Sequence, residues 1–169
     1  ADSLVIAGVM ESVRSLSWVK ECRVRVEAGR RMVVEVEERT PIALLVESPR
    51  TWVDEEGVVL PPLRGVAVDL PLLHGFGPAS PGSRISGSEF GQVRDFLLQA
   101  RENGVGRATI SEVLWDREAG VVALSHENGV KLIFGRDRYE EKFRYWQAFY
   151  REVIREEGIA HLTSVDLRF

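Results

Sequence analysis

Three times along the chain the apolar residues change from helical spacing to alternation, and this change of period limits the fold more than any other feature. Ile6, Val9, Val13 and Leu16 fall three and four apart, which predicts an amphipathic helix over residues 3–17. From Cys22 the period is two. Cys22, Val24 and Val26 alternate with charged residues, as do Met32, Val34 and Val36, while Val33, Glu35 and Glu37 form a mostly polar opposite face. Two half-buried antiparallel strands follow from this, turning at Glu27-Ala28-Gly29-Arg30. Phe90, Val93, Leu97 and Ala100 then restore the helical period, with Ser88 as the expected N-cap and Asn103-Gly104 as the expected left-handed stop. Alternation returns over residues 109–115, 121–126 and 130–134, broken at Glu118-Ala119-Gly120 and Glu127-Asn128-Gly129. The Asn-Gly pair is the strongest hairpin cue in the sequence. A further helix is expected from Asp137, with Glu140 in capping-box spacing, to Gly158, and a last strand over residues 162–169. The order is that of an α+β fold with a mostly antiparallel sheet.

One helix and one hairpin are too little for independent stability. The hairpin is therefore expected to continue into the strands that follow, after an interruption at Thr40-Pro41. Ile42 to Val46 is an apolar run, and residues 52–60 read as two short strands around the acidic turn Asp54-Glu55-Glu56-Gly57. Residues 61–87 hold five of the seven prolines and read as loop with one short strand near Val66 to Val68.

The chain has 169 residues, 22 basic and 26 acidic, for a net charge of −4. An acidic balance opposes nucleic-acid binding, which rests on neutralising phosphates. No run of about 18 apolar residues is present. Ala1 is expected to be a trimmed or processed start. Cys22 stands alone, so neither an internal disulfide nor a thiolate metal cage can form, and it reads as a small buried hydrophobe. His74, His126 and His161 lie far apart, without the i, i+4 spacing of a helical metal site. There is no nucleophile elbow and no phosphate loop; Gly104-Val105-Gly106 reads as the end of a helix rather than the start of one. Asp54-Glu55-Glu56 and Glu156-Glu157 read as solvated charge at a turn and a helix end, with a weak cation site as the alternative. The stripe Phe143, Trp146, Tyr150 and Val153, with Phe149 beside it, reads as core rather than a ligand box. Its segment carries balanced charge, unlike a membrane-surface helix. No catalytic residue, metal site or cofactor is expected.

The last strand offers a different chemistry. Val165, Leu167 and Phe169 alternate with Asp166 and Arg168, and a terminal strand is often a sheet edge whose free N–H and C=O groups pair with another chain. The alternative is that it pairs internally.

Several motifs, in order, resemble the bacterial cell-division family FtsQ/DivIB. Leu16-Ser17-Trp18-Val19-Lys20, Val24-Arg25-Val26 and the stretch from Val34 through Glu38-Arg39-Thr40-Pro41 to Ala43 resemble the second half of its POTRA module. Val53-Asp54-Glu55-Glu56-Gly57-Val58-Val59 matches its V-D-x-x-G-x-V hairpin, and Leu70-Pro71-Leu72-Leu73-His74-Gly75 its L-P-x-L-x-G loop. Asn128-Gly129-Val130-Lys131-Leu132, Phe134-Gly135 and Lys142 match its β domain, and Val165-Asp166-Leu167-Arg168-Phe169 its D-L-R strand. Ala28-Gly29-Arg30-Arg31-Met32 departs from the family's P-x-x-L.

The resemblance implies a partial POTRA module (helix plus β-hairpin, residues 1–43) continuing into an FtsQ-type β domain (44–169) with two helices packed on it. It implies a non-catalytic scaffold of the divisome, anchored in the bacterial cytoplasmic membrane by one helix outside this sequence and exposed on the extracytoplasmic side at the septum. The first POTRA strand and helix are likewise expected outside it. Implied partners are the FtsB/FtsL pair, captured by strand addition near Val165, Asp166, Leu167, Arg168 and Phe169 or beyond them. Glu38, Arg39 and Pro41 are implied in recruitment. The alternative is a POTRA-containing protein of outer-membrane assembly or polypeptide transport; a small hydrolase with scattered acidic catalysts is a third reading.

Overall fold

A computed structural model describes residues 2–29, 31–48, 51–63, 65 and 68–169. The first unit is helix α1 (Asp2–Arg14) lying on the hairpin β1 (Val19–Glu27) and β2 (Arg31–Glu38). Ile6, Val9 and Val13 are half-buried against the sheet, and Cys22 is buried beneath them. Leu16 falls after the helix and is exposed. Cys22 faces Val36, Val24 faces Val34 and Val26 faces Met32, so these six share one sheet face. Helix α1 covers only part of it: Val26 stays 48% and Val36 46% exposed.

Among the described residues the remaining strands form an eight-stranded sheet in the order β10-β9-β8-β7-β6-β3-β4-β5. They are β3 (Pro41–Leu45), β4 (Thr51–Asp54), β5 (Val59–Leu60), β6 (Leu72–His74), β7 (Ile110–Asp116), β8 (Gly120–Ser125), β9 (Lys131–Gly135) and β10 (Ser164–Asp166). The expectation that the hairpin continues into this sheet is not met by any ladder: β1 and β2 pair only with each other. The chain crosses from one sheet to the other at residues 39–40. Strand β3 spans the expected boundary between residues 43 and 44.

The expected strand near Val66 to Val68 falls partly outside the described residues, since 66 and 67 lie there; Val68 is not in a strand. The strand of this region is β6, placed at the centre of the sheet and parallel to both β3 and β7. Three residues after a proline carry too few alternations to show a period, so a buried strand reads as loop. The sheet is consequently mixed, with antiparallel pairings in the majority.

Helices α2 (Ser88–Glu102), α3 (Gly104–Thr109) and α4 (Tyr139–Phe149) cover one face. Phe90, Val93, Leu97 and Ala100 are buried as their spacing requires, together with Phe96. Phe96, Phe134 and Phe143 meet with ring centroids 4.7–5.2 Å apart, joining α2, β9 and α4. Trp146 is fully buried, and its Nε1 donates to Thr109 Oγ1 at 2.9 Å, tying α4 to the end of α3. The aromatic stripe is core at Phe143 and Trp146, with Phe149 and Tyr150 half-buried beside them.

The capping expectations are corrected in three places. Gly87 precedes α2 and Ser88 is its first residue, with no side-chain cap. Asn103 is extended at φ −87°, not left-handed, and its side chain accepts from Gly106 N at 2.9 Å. Asn103 therefore caps the start of α3, and Gly104 opens a helix rather than closing one. Asp137 forms no capping box: Arg138 is the residue before α4, and the Asp137 carboxylate accepts from Lys142 Nζ instead. The long helix also breaks into a π-helical turn at Tyr150–Ile154 before ending at Glu157. The Asn-Gly turn forms as expected, with Asn128 at φ 56° and Gly129 at φ 58°.

Candidate functional site

An open sheet has two margins, and among the described residues one of them is covered and the other bare. At the β5 margin a neighbouring segment takes the outward groups: Val59 N donates to Ser83 O at 2.9 Å, Gly82 N to Val59 O at 2.8 Å, and Ile85 N to Gly57 O at 2.8 Å. At the other margin lies β10, with β9 on one side and, among the described residues, no strand on the other.

Strand β10 differs from its expectation in two respects. It runs parallel to β9, not antiparallel, because the chain returns over α4 before entering the sheet. It is also three residues long, so Leu167, Arg168 and Phe169 lie past its end. Thr163 O accepts from Lys131 N at 3.2 Å, and Leu167 N donates to Ile133 O at 2.9 Å. In a parallel ladder alternate residues turn their main-chain groups to the same side. Residues 163, 165 and 167 therefore bond inward to β9, and Ser164 and Asp166 present their N–H and C=O groups outward.

The side chains divide along the same alternation. Leu167 is 7% exposed, and half-buried Val165 packs with it into the helix-covered core. Asp166 and Arg168 clamp each other: Arg168 Nε donates to Asp166 Oδ1 at 2.9 Å and Oδ2 at 3.1 Å, and Arg168 N donates to Oδ1 at 3.1 Å. The guanidinium holds the Asp166 carboxyl below the usual carboxylate range. Phe169 is 90% exposed. Lys142 stands near the β9 end of this margin, buried, with Nζ donating to Asp137 O at 2.7 Å.

A family model described as "Cell division protein FtsQ/DivIB, C-terminal" matches residues 43–168, from β3 through the Asp166–Arg168 clamp. The chain belongs to the FtsQ/DivIB family. "Cell division protein FtsQ" of Rhodothermus marinus is 29% identical over 171 residues, covering 95% of this chain and 61% of its own length. "Cell division protein FtsQ" of Alcanivorax borkumensis is 28% identical over 173 residues, covering 99% of this chain and 60% of its own length. The chain thus spans about three-fifths of the length of these relatives. The family match spans the stretch in which the motifs from Val53 onward lie, as far as Arg168.

The other three expected site residues lie at the junction between the two sheets. Glu38 ends β2 and is exposed, and Pro41 opens β3 and is half-buried. Arg39 is held in the junction: Nη1 lies 2.6 Å from Asp54 Oδ2 and 2.9 Å from Glu56 Oε2. Asp54 is only 2% exposed and Oδ1 accepts from Glu56 N and Val58 N, so the acidic turn is an ion-pair partner rather than solvated charge. Trp18 completes the joint. Its Nε1 donates to Pro61 O at 3.1 Å, its ring meets Trp52 edge-on at 5.3 Å, and its carbonyl accepts from Arg39 N at 2.8 Å. Spacing could not reveal this role for Trp18 and Asp54, since Trp18 reaches Pro61 43 residues away and Asp54 meets Arg39 15 residues away.

His74 Nε2 lies 2.7 Å from Glu112 Oε2 on the sheet face without helices. His126 and His161 are exposed. Among the described residues no group of three His, Cys, Asp or Glu side chains could hold a metal ion, and no helix is long and apolar enough to cross a membrane.

Proposed function

We propose that this chain is the extracytoplasmic part of a bacterial division scaffold, and that it works by lending the β10 edge to a partner strand rather than by catalysis. The observation that carries this reading is the asymmetry of the two margins: one covered by its own chain, the other carrying the outward groups of Ser164 and Asp166. Added-strand pairing supplies main-chain hydrogen bonds at such an edge. The partner of this reading is the FtsB/FtsL pair that the family resemblance implies, with exposed Phe169 rather than the inward Val165 and Leu167 giving side-chain selectivity. Asp166 and Arg168 keep the margin in shape.

On the same reading residues 1–43 are the later part of a POTRA module and 44–169 the β domain, held by one membrane-spanning helix outside this sequence at the division septum. The uncovered apolar face of the hairpin supports this, because it is what the rest of such a module would cover. Glu38 and Pro41 then serve recruitment as surface, and Arg39 by fixing the junction.

The test is capture of purified FtsB/FtsL-type partner by the chain extended through its natural tail. Ser164→Pro removes an outward N–H without touching a bond to β9, and Phe169→Asp removes the exposed ring. Both are expected to weaken capture about tenfold or more while far-UV spectra and the urea midpoint hold. Parental binding by both variants would end the edge reading.

A further inference from the structure

A cleft of about 580 Å³ opens at the end of the sheet where the three parallel strands β3, β6 and β7 begin. That size is in the range of sites that enclose a ligand group or a large side chain. Ile42, Leu97 and Ile110, each buried in the main core, reach into its lining, and Leu72 remains 38% exposed on it. The cleft is a different place from the β10 margin, since β8 and β9 stand between β7 and β10 in the sheet.

Its rim carries charge of one sign in excess. Arg101, in the last turn of α2, and Arg107, in α3, both line it and are both exposed, with His126 on the same lining and Asp69 as the single acid. Among the described residues nine other arginines, Arg39, Arg84 and Arg168 included, lie within 4 Å of a carboxylate. Among the described residues Arg101 and Arg107 have no such partner, as is also true of Arg14, Arg117, Arg136, Arg144 and Arg155; what sets the two apart is that both stand on the rim of one cleft. The chain as a whole is acidic, at −4, so this cationic rim runs against the average field and selects a partner of opposite sign.

We propose that this cleft is a second docking site, for an acidic peptide segment of another protein that buries one large apolar side chain against Ile42, Leu97 and Ile110 and sets carboxylates against Arg101 and Arg107. The two demands act together. The apolar floor is desolvated by the side chain, and the rim guanidiniums donate to carboxylates in forked geometry. The proposal is independent of strand addition at β10, and either can fail alone.

The test uses the 169-residue chain, isotope-labelled for amide NMR, titrated with the peptide acetyl-Glu-Glu-Leu-Trp-Glu-Glu-amide. Expected are saturable shifts at Ile42, Leu97, Ile110 and His126, with those of β10 unmoved. The Arg101→Glu, Arg107→Glu double variant, at two exposed positions, should keep a dispersed spectrum and bind about tenfold more weakly or not at all. The same peptide with lysine for each glutamate should leave the cleft unshifted. Absence of peptide shifts, equal binding of the lysine peptide, or full affinity in the double variant would overturn the proposal. So would cleft shifts produced only by phosphatidylglycerol vesicles, or only by raising the concentration of the chain itself, which would assign the cleft to a lipid surface or to a second copy.

Discussion

Arg39 Nη1 and Asp54 Oδ2, fifteen residues apart in sequence, meet at 2.6 Å with the guanidinium 12% and the carboxylate 2% exposed. The pair bolts the end of β2 to the eight-stranded sheet at the place where no ladder joins them. Removing one member of a buried pair leaves the other charge uncompensated, at a cost of about 3–5 kcal/mol. The two backbone N–H bonds to Asp54 Oδ1 soften that cost but cannot remove it. Arg39→Met is therefore expected to destabilise the chain by about 3 kcal/mol in urea unfolding. Arg39→Lys should recover only part, since one ammonium cannot reproduce the contacts to both Asp54 and Glu56. A loss below about 0.5 kcal/mol for Arg39→Met would remove the bolt.

The same cluster sets a pH dependence. The hydrogen bond from Arg39 is the main reason the Glu56 carboxyl titrates below its ordinary range, with the charges of Arg39, Lys20 and Arg84 adding to it against the effect of burial. A folded-state value below the unfolded one means that the unfolded chain binds the proton first. The stabilisation is therefore complete above the unfolded carboxylate range and is lost as pH falls through the folded value. Unfolding free energies measured between about pH 6 and pH 3 should fall for the parent chain, and less steeply for Glu56→Gln. Asp116, Asp137 and Asp166 are shifted the same way, so both chains keep some slope. Identical slopes would show that Glu56 gains nothing from Arg39.

Trp146 tests the join between the helices and the sheet. Its ring is fully enclosed, and Thr109 Oγ1, which accepts from Nε1, donates in turn to Val105 O at 2.7 Å. Trp146→Ala empties the largest of the fully buried side chains among the described residues and is expected to cost about 3–5 kcal/mol. Trp146→Phe should cost less, the sum of a smaller void and a lost hydrogen bond of about 1 kcal/mol. Near-UV circular dichroism and urea midpoints would measure both. A near-neutral alanine variant would mean that α4 is not anchored there.

How much of this could be read from the sequence follows from the range of each interaction. Phe90, Val93, Leu97 and Ala100 bury as their spacing says because one helix face decides it. Asn128-Gly129 turns as it must because the left-handed conformation is local. Strand β6 was illegible: three residues behind Pro71 hold a central place only because β3 and β7 flank them. Asp137 and Asn103 differ from their expected capping roles for a related reason. Each has the chemistry to cap the helix expected there, and competition from Lys142 and from the start of α3 decides otherwise. At the candidate edge, motif order located Asp166 and Arg168, but the direction of β10 and the inward turn of Val165 and Leu167 depend on which neighbour the returning chain meets.

The covered margin makes a last test, at Gly57. Its φ is +81°, and a Cβ there would come within 2.1 Å of Ile85 O and 3.1 Å of Phe90 Cε1. Ile85 N also donates to Gly57 O, so the contact that a methyl would break belongs to the strap over β5. Gly57→Ala must adopt a left-handed backbone and push residues 82–85 away, at a cost of about 2 kcal/mol or more. Lifting the strap bares the outward groups of Val59, giving the sheet a second open edge. The variant should therefore lose stability in urea and, in sedimentation velocity, begin to associate with rising concentration at fixed salt. Unchanged stability would mean that the strap yields freely; a destabilised variant that stays monomeric would show that β5 is too short to act as an edge even when bare.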